Sequence, residues 1–461
     1  MNQQVKNQAS PHGGRVVAII AMFFLFAMIS FVTNLAAPIG TIWGFQFQGN
    51  SFLGMLGNMM NFLAYLFMGI PAGKLLTKIG YKKTTLWAMA IGFVGLFVQW
   101  LSSAFGAETS ISQSTVDVMV NIDGTEYPVD RTFNVTLNFI IYLLGAFICG
   151  FCVCMLNTVV NPMLNLLGGG GNKGNQLIQL GGVFNSSAAV ACYILMGALI
   201  ADASKAKISD ATPALMIALA IFVIAFIVII FTKIEEPEQA PVQLDLIKGA
   251  MGHSHFALGT LAIFLYMGIE VGVPNFVNLY LTAGDPATGL EPIPAGTVGM
   301  LVAVYWFMML IGRLVGASIG SKVSSRAMIT TVSIATLVLV LFGMFAPTDV
   351  TVNFPGVDWG KLEMIWQPVP LGIFSFLLVG LCTSVMWGGI FNMAVEGLGK
   401  YTAIASGIFM TMVFGCAVMM FIQAKVADMF GYIPSFWVVV FCAAYLLFYA
   451  LVGSRVTKRS E

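Results

Sequence analysis

The sequence predicts an all-α integral membrane protein with twelve transmembrane helices in two six-helix halves. Three observations carry that prediction. Hydrophobic residues make up 58% of the 461 residues and charged residues only 9%, against about 25% charge in a soluble domain. Mean hydropathy is +0.90. The apolar residues gather into twelve runs of bilayer length, about 20 residues each. A transmembrane β-barrel would instead alternate over segments of about ten residues. There is no basic domain for nucleic acid; the partner that this composition demands is the lipid bilayer.

The chain opens on a polar segment, Met1 to Arg15. The apolar run from Val16 is too long for a signal-peptide core and ends without a small-residue cleavage pattern, so it reads as a retained first span. Spans are expected at 16–42, 51–76, 84–105, 134–167, 177–201, 213–232, 255–282, 295–320, 327–346, 369–398, 401–426 and 430–453. The fourth and tenth are long enough to include structure beyond the bilayer. The charged connector with Glu235, Glu236, Pro237 and Glu238 divides the chain into an N-terminal half (1–232), a central loop (233–254) and a C-terminal half (255–461). Long connectors follow span 3 (106–133) and span 9 (347–368). These are equivalent places in the two halves, as an internal duplication predicts.

Orientation follows from the basic residues. With the N-terminus inside, sixteen of the 21 Lys and Arg residues fall on the cytoplasmic side. The chain is therefore expected to be a multi-pass protein of the cytoplasmic (inner) membrane with both termini in the cytoplasm, acting as a monomer. All seven cysteines lie inside expected spans, which argues against a disulfide framework. Cys149, Cys152 and Cys154 lack partner His or Asp residues and read as core. His253 and His255 lack a third ligand and read as a solvated helix start. Gly168 to Gly171 lacks the preceding strand and the GK[ST] ending of a phosphate loop and reads as a turn. No cofactor and no metal is expected. No nucleophile–base–orienter set is present, so an enzyme is not expected.

Two cytoplasmic turns repeat. Span 2 ends in Gly69-Ile-Pro-Ala-Gly73-Lys74-Leu-Leu-Thr-Lys78-Ile-Gly80-Tyr-Lys82-Lys83, and span 8 ends in Gly312-Arg313-Leu-Val-Gly316-Ala-Ser-Ile-Gly320-Ser-Lys322. Glycines allow helix ends to approach and turn closely, and the basic residues anchor the turn. The pair resembles the signature of the major facilitator superfamily, which implies a gating role for Gly69, Gly73, Lys74, Gly80, Lys82, Gly312, Arg313 and Gly316. The usual Asp of that motif is missing: Thr77 or Lys78 stands near its place in the first turn and Ser321 in the second. Further along, Asn157-Thr-Val-Val-Asn161-Pro162, Phe184-Asn185-Ser186, Pro71-Ala72-Gly73, Phe264 to Val271 and Ile390-Phe391 leading to Glu396-Gly-Leu-Gly399-Lys400 resemble the fucose and glucose/galactose permease family. That resemblance covers nearly the whole chain. It implies acids where Asn34 and Asn157 stand and a glutamine where Gly182 stands. Amides bind hydroxyls well but exchange no protons at physiological pH.

Glu270 lies in the middle of the apolar run from His255 to Leu281. A carboxylate there costs about 2.5–3.5 kcal/mol on insertion scales, and it is the candidate for binding a coupling cation, Na⁺ or H⁺. Around it the spans carry uncharged amides. Asn157 and Asn161 share a helix face; Asn34, Asn58, Gln179, Asn185, Asn278 and Asn392 lie in other apolar runs. Such a lining suits a neutral polyhydroxyl ligand. A charged ligand would want a basic residue at mid-span, and none is expected there. Trp306 and Trp387 are the candidate platforms for the apolar face of a sugar ring, with Tyr65, Tyr280 and Tyr305 behind them. Pro162 and Pro274 are expected to break helices and free carbonyls near the site. Glu270, the amides and the two tryptophans together point to a secondary active transporter of a neutral, hexose-like sugar, working by alternating access with cation symport. An uncoupled sugar facilitator is the first rival. A multidrug exporter is the second, because 28 Met can line an adaptable cavity.

Overall fold

The computed structural model describes residues 12–122, 125–168, 171–200, 204–232, 244–285, 289–319, 322–359 and 361–456. The acidic part of the central loop, most of the Gly168–Gly171 turn, and Gly320 and Ser321 of the second basic turn lie outside the described residues. Among the described residues, twelve helical segments are long and apolar enough to cross a membrane: Gly14–Gln46, Ser51–Ile79, Tyr81–Ala104, Leu137–Leu167, Gln176–Leu199, Ile208–Phe231, Ser254–Ala283, Ala295–Ile319, Ser325–Phe345, Leu371–Val395, Ile404–Phe430 and Tyr432–Gly453. They are numbered spans 1 to 12. Twelve crossings bring both termini to one face of the bundle, here the terminal face.

The other face carries two β-hairpins. Strands β1 (Ser110–Ile122) and β2 (Thr125–Thr136) pair antiparallel after span 3. Strands β3 (Thr351–Asp358) and β4 (Glu363–Pro370) pair the same way after span 9. The long connectors expected at these two places are therefore a matched pair of hairpins. The second is docked: β3 packs on the start of span 8, where Gly356 lies against the Thr297 side chain and a Cβ on Gly296 would lie 2.6 Å from the Val357 carbonyl oxygen.

Glycines set the closest helix crossings. A Cβ on Gly95 in span 3 would lie 2.6 Å from the Cys149 backbone nitrogen in span 4, and these two spans share the largest contact in the bundle. Gly95→Val is therefore expected to destabilise the protein by about 1–3 kcal/mol, the usual scale of overpacking. A lowered melting temperature of the detergent-purified protein checks it; an unchanged melt would contradict this packing. The seven cysteines are buried and free, as core residues should be.

Among the described residues, spans 7, 10 and 11 are interrupted well inside their length, and span 12 near its start at Phe436. Span 7 breaks at Val271, between helices Ser254–Glu270 and Gly272–Ala283. Span 10 breaks between Thr383 and Met386, where the Thr383 hydroxyl donates to the Gly380 carbonyl at 3.1 Å and the Ser384 hydroxyl to Leu381 at 2.6 Å. Hydroxyls that compete for helix carbonyls in this way bend helices. Span 11 breaks between Met412 and Gly415. Span 4 runs through Pro162 without interruption from Leu137 to Leu167, so the break expected there does not occur. The first six spans meet the last six along two seams, span 2 on span 11 and span 5 on span 8, with span 1 touching the second part of span 7.

Candidate functional site

Glu270 is the last residue before the break in span 7. The cause of the break is local chemistry. Pro274 has no N–H to give to the carbonyl four residues before it, and that carbonyl belongs to Glu270. The Tyr305 hydroxyl of span 8 donates to it instead, at 2.9 Å, and lies 3.1 Å from the Thr383 hydroxyl at the break in span 10. Pro274 does free a carbonyl, as expected, but a tyrosine occupies it. The Tyr266 hydroxyl, one helical turn before Glu270, donates to the Thr383 carbonyl at 3.4 Å. Spans 7, 8 and 10 are thus tied together around Glu270 by two tyrosines and a threonine.

The carboxylate itself faces a cation. Arg313 Nη2 lies 3.9 Å from Glu270 Oε1, with only 16% and 14% of the two side chains exposed. The expectation of no basic residue at mid-span is corrected here. Arg313 starts six residues from the end of span 8 on the terminal face, but its long side chain reaches into the bundle. Two unit charges at this distance attract by about 4 kcal/mol at an effective dielectric of ~20, before the desolvation of both is subtracted. The guanidinium also crosses the seam: Arg313 Nη1 donates to the Gly182 carbonyl in span 5 at 2.5 Å. Gly182 leaves the room, because a Cβ there would lie 2.8 Å from Nη1 and 2.9 Å from Cδ.

The amides divide into several groups rather than one. Asn157 of span 4 donates to the Tyr65 hydroxyl of span 2 at 2.9 Å, and Asn161 donates to the Asn157 carbonyl at 3.1 Å. Both are half-buried. Asn34 is buried and donates to its own helix at Ser30. Asn185 donates to the Phe26 carbonyl at 3.2 Å, so it joins spans 5 and 1. Asn58 and Asn61 are buried, each with an unpartnered side-chain oxygen among the described residues. Gln179 is half-buried and Asn392 is exposed. Asn278 donates to the Thr41 hydroxyl at 2.7 Å, and Asn275 accepts from Tyr193 at 3.1 Å; each of these bonds crosses between the first and last six spans.

Trp306 is 5% exposed beside Tyr305, with its indole nitrogen turned to Tyr193 but without a hydrogen bond of ordinary geometry. Trp387 is half-buried, 6.3 Å from the Tyr266 ring, and a Cβ on the next residue, Gly388, would meet nothing within 4 Å. Tyr280 packs on Tyr432 at the hairpin face. His255 Nε2 is 2.8 Å from the Glu396 carbonyl, and His253 Nδ1 is 3.0 Å from Gly249. No metal-binding group occurs among the described residues.

The motif glycines and lysines occupy structural places. A Cβ on Gly69 would lie 2.5 Å from the Thr411 nitrogen in span 11, and one on Gly312 would lie 2.7 Å from the Leu381 carbonyl in span 10. Gly316 packs on Val385. Gly80 turns the chain at φ +85°, a conformation that glycine adopts without strain. Lys82 donates to the Ile230 and Thr232 carbonyls at the end of span 6, at 2.7 and 2.9 Å, which suits a cation at a helix C-terminus. Gly73 is half-buried and Lys74 exposed.

The seam is closed at the hairpin face. The backbone N–H groups of Ser51 and Phe52, which open span 2, donate to Asp428 of span 11 at 2.7 and 3.2 Å. The Lys425 ammonium sits 4.3 Å above the Phe52 ring. A helix start has free N–H groups and a positive dipole end, and here an acid from the opposite half satisfies both. A cavity of about 20 Å³ lies at the hairpin end of the span 5/8 seam, lined in part by Thr41, Tyr193, Asn278 and Gly299. Asp428→Asn is expected to weaken the closure by about 0.5 kcal/mol, the scale for an exposed helix end. An impermeant maleimide should then label a Thr41→Cys reporter roughly twofold faster; unchanged labelling would contradict a latch at Asp428.

Sequence reasoning had singled out Glu270, Trp306, Trp387 and the amides, but not Tyr266, Thr383, Thr41 or Asp428. The signal for these four was weak, because hydroxyls and one acid near a helix end are common in any membrane helix.

A family model described as Major Facilitator Superfamily matches residues 17–419. Over 453 residues the chain is 27% identical to a protein named glucose/galactose transporter from Brucella abortus, covering 96% of this chain and 95% of that protein. It is 22% identical over 453 residues to the L-fucose-proton symporter of Escherichia coli, covering 90% and 87%. The solved structure of the transporter FucP in the outward conformation matches with a TM-score of 0.63 and 18% identity, covering 95% of this chain and all of that one. A structure of a D-xylose-proton symporter matches with a TM-score of 0.61 and 12% identity. At these identities the solved structures speak for the fold alone.

Proposed function

The chain belongs to the Major Facilitator Superfamily and is a transporter rather than an enzyme; on that premise we propose that it moves a neutral sugar of hexose size across the cytoplasmic membrane. The two six-span groups rock about the span 2/11 and span 5/8 seams, the terminal face lies in the cytoplasm and the hairpins lie outside. The protein works as a monomer. The observation that carries the reading is the charge balance at the seam. Among the described residues the mid-membrane ion pair, Glu270 with Arg313, sums to zero, and the hydroxyls of Tyr266, Tyr305 and Thr383 lie around it. An uncharged, hydroxyl-rich ligand fits that setting, and the names of the relatives point the same way. Asn157 and Asn161 offer donors and acceptors to ligand hydroxyls, and Trp387 beside the open Gly388 offers a ring face.

Glu270 is the coupling residue in this reading. Sodium or a proton bound at its carboxylate neutralises Glu270 and leaves Arg313 without its counter-charge. A second reading, uncoupled facilitated diffusion, is favoured by one observation: Arg313 already supplies a counter-charge to Glu270. Counterflow separates sugar transport from other cargo. Purified protein in liposomes preloaded with glucose or galactose should drive uptake of the labelled sugar, and both hexoses should compete. No counterflow with any neutral hexose, together with efflux of hydrophobic dyes, would replace the sugar reading with an exporter.

A further inference from the structure

We infer that Arg313 is the positioning residue that links occupancy of Glu270 to separation of the two halves, by sharing one guanidinium between the Glu270 carboxylate and the Gly182 carbonyl. The inference rests on Glu270 as the coupling residue and adds the part that makes its occupancy felt across the seam. Glu270 and Arg313 belong to the same half, in spans 7 and 8, and Gly182 belongs to the other, in span 5. Nη1 holds the carbonyl at 2.5 Å and Nη2 faces the carboxylate at 3.9 Å. One planar group with donors in a fixed fork thus reports to both.

An arginine does not lose its proton in a protein, so this pair changes charge only through Glu270. While Glu270 is ionised, its attraction holds the guanidinium at the level where it can reach Gly182. Once a cation or proton neutralises the carboxylate, that hold is gone and the guanidinium is an uncompensated buried charge. It is then drawn toward water at the terminal face, six residues away along its own helix, and the bond to Gly182 breaks. Spans 5 and 8 lose a link on the terminal side while the Asp428 contacts still close the hairpin side.

Position 182 makes the arrangement possible. Any side chain there would occupy the guanidinium's place. Gly182 and Arg313 are therefore a matched pair: a Cβ at 182 would push the flexible end of the Arg313 side chain off the Gly182 carbonyl.

The test uses the full-length protein with Glu270→Gln, Arg313→Gln, both together, Gly182→Ala, and Gly182→Ala with Arg313→Gln. Hexose counterflow, gradient-driven accumulation and melting temperature are read for each. Each single charge change should slow counterflow roughly tenfold or more, because it leaves a buried charge unpaired. The double charge change should recover counterflow to within roughly threefold of the wild type while accumulation stays lost. Gly182→Ala should slow counterflow in the wild type and have no added effect when Arg313 is Gln. Arg313→Lys, which keeps the charge but not the fork, should not restore accumulation. A double charge mutant no better than the worse single, or a Gly182→Ala effect that persists without Arg313, would overturn the inference. If the wild type itself exchanges no hexose, the sugar reading fails, and the melts decide this one. Recovery of the double mutant's melting temperature supports the pair; equal loss in all three charge variants overturns it.

Discussion

Glu270→Gln is expected to reduce the accumulation of hexose to the ratio of simple equilibration. The wild type, driven by a tenfold cation gradient, should exceed that ratio by up to roughly tenfold for one coupled cation, equivalent to about 1.4 kcal/mol. The glutamine is nearly isosteric, so the Tyr305 bond to the residue-270 carbonyl, a backbone contact, survives. What is removed is the only carboxylate at the break in span 7. Accumulation measured in liposomes under an imposed gradient checks the prediction, and accumulation that survives the substitution would remove Glu270 from coupling.

The second large effect concerns motion rather than binding. Gly69 lies where span 2 meets span 11, and a Cβ there would lie 2.5 Å from the Thr411 nitrogen and 2.6 Å from its Cα. These are backbone atoms, so no rotamer change relieves the clash. Gly69→Leu should wedge the seam open and stop cycling. Counterflow should fall by roughly a hundredfold, the scale of about 3 kcal/mol on a closing step. Each six-span group keeps its own packing, so the protein should still run as a monodisperse peak in detergent. A transport-competent Gly69→Leu would show that spans 2 and 11 never approach this closely in the cycle.

The spans were legible because a bilayer imposes a length and an apolar content that composition alone reveals. The ends of spans 2, 6 and 8 fall within a few residues of the expected positions. The hairpins were not legible, because β1 to β4 lie in polar connectors where pairing depends on the partner strand. Pro274 marks a real break while Pro162 does not, although both sit in long apolar runs. At Pro274 the freed carbonyl has Tyr305 from a neighbouring span as its partner, a long-range fact absent from the local sequence. Arg313 was the main misreading. Counting residues from the helix end placed it with the cytoplasmic turn, but its side chain extends into the bundle and finds an acid there. The open place at Gly182 that receives it was visible only as a departure from the permease pattern.

The most direct test of Glu270 as a coupling site is wild-type uptake of labelled hexose into liposomes under three conditions: an inward Na⁺ gradient, an inward proton gradient, and neither. Accumulation above equilibrium is expected under one of the two gradients, and simple equilibration under the other and under neither. Equal equilibration in all three conditions would contradict coupling at Glu270 and leave the protein an uncoupled facilitator, with Arg313 as the permanent counter-ion of Glu270.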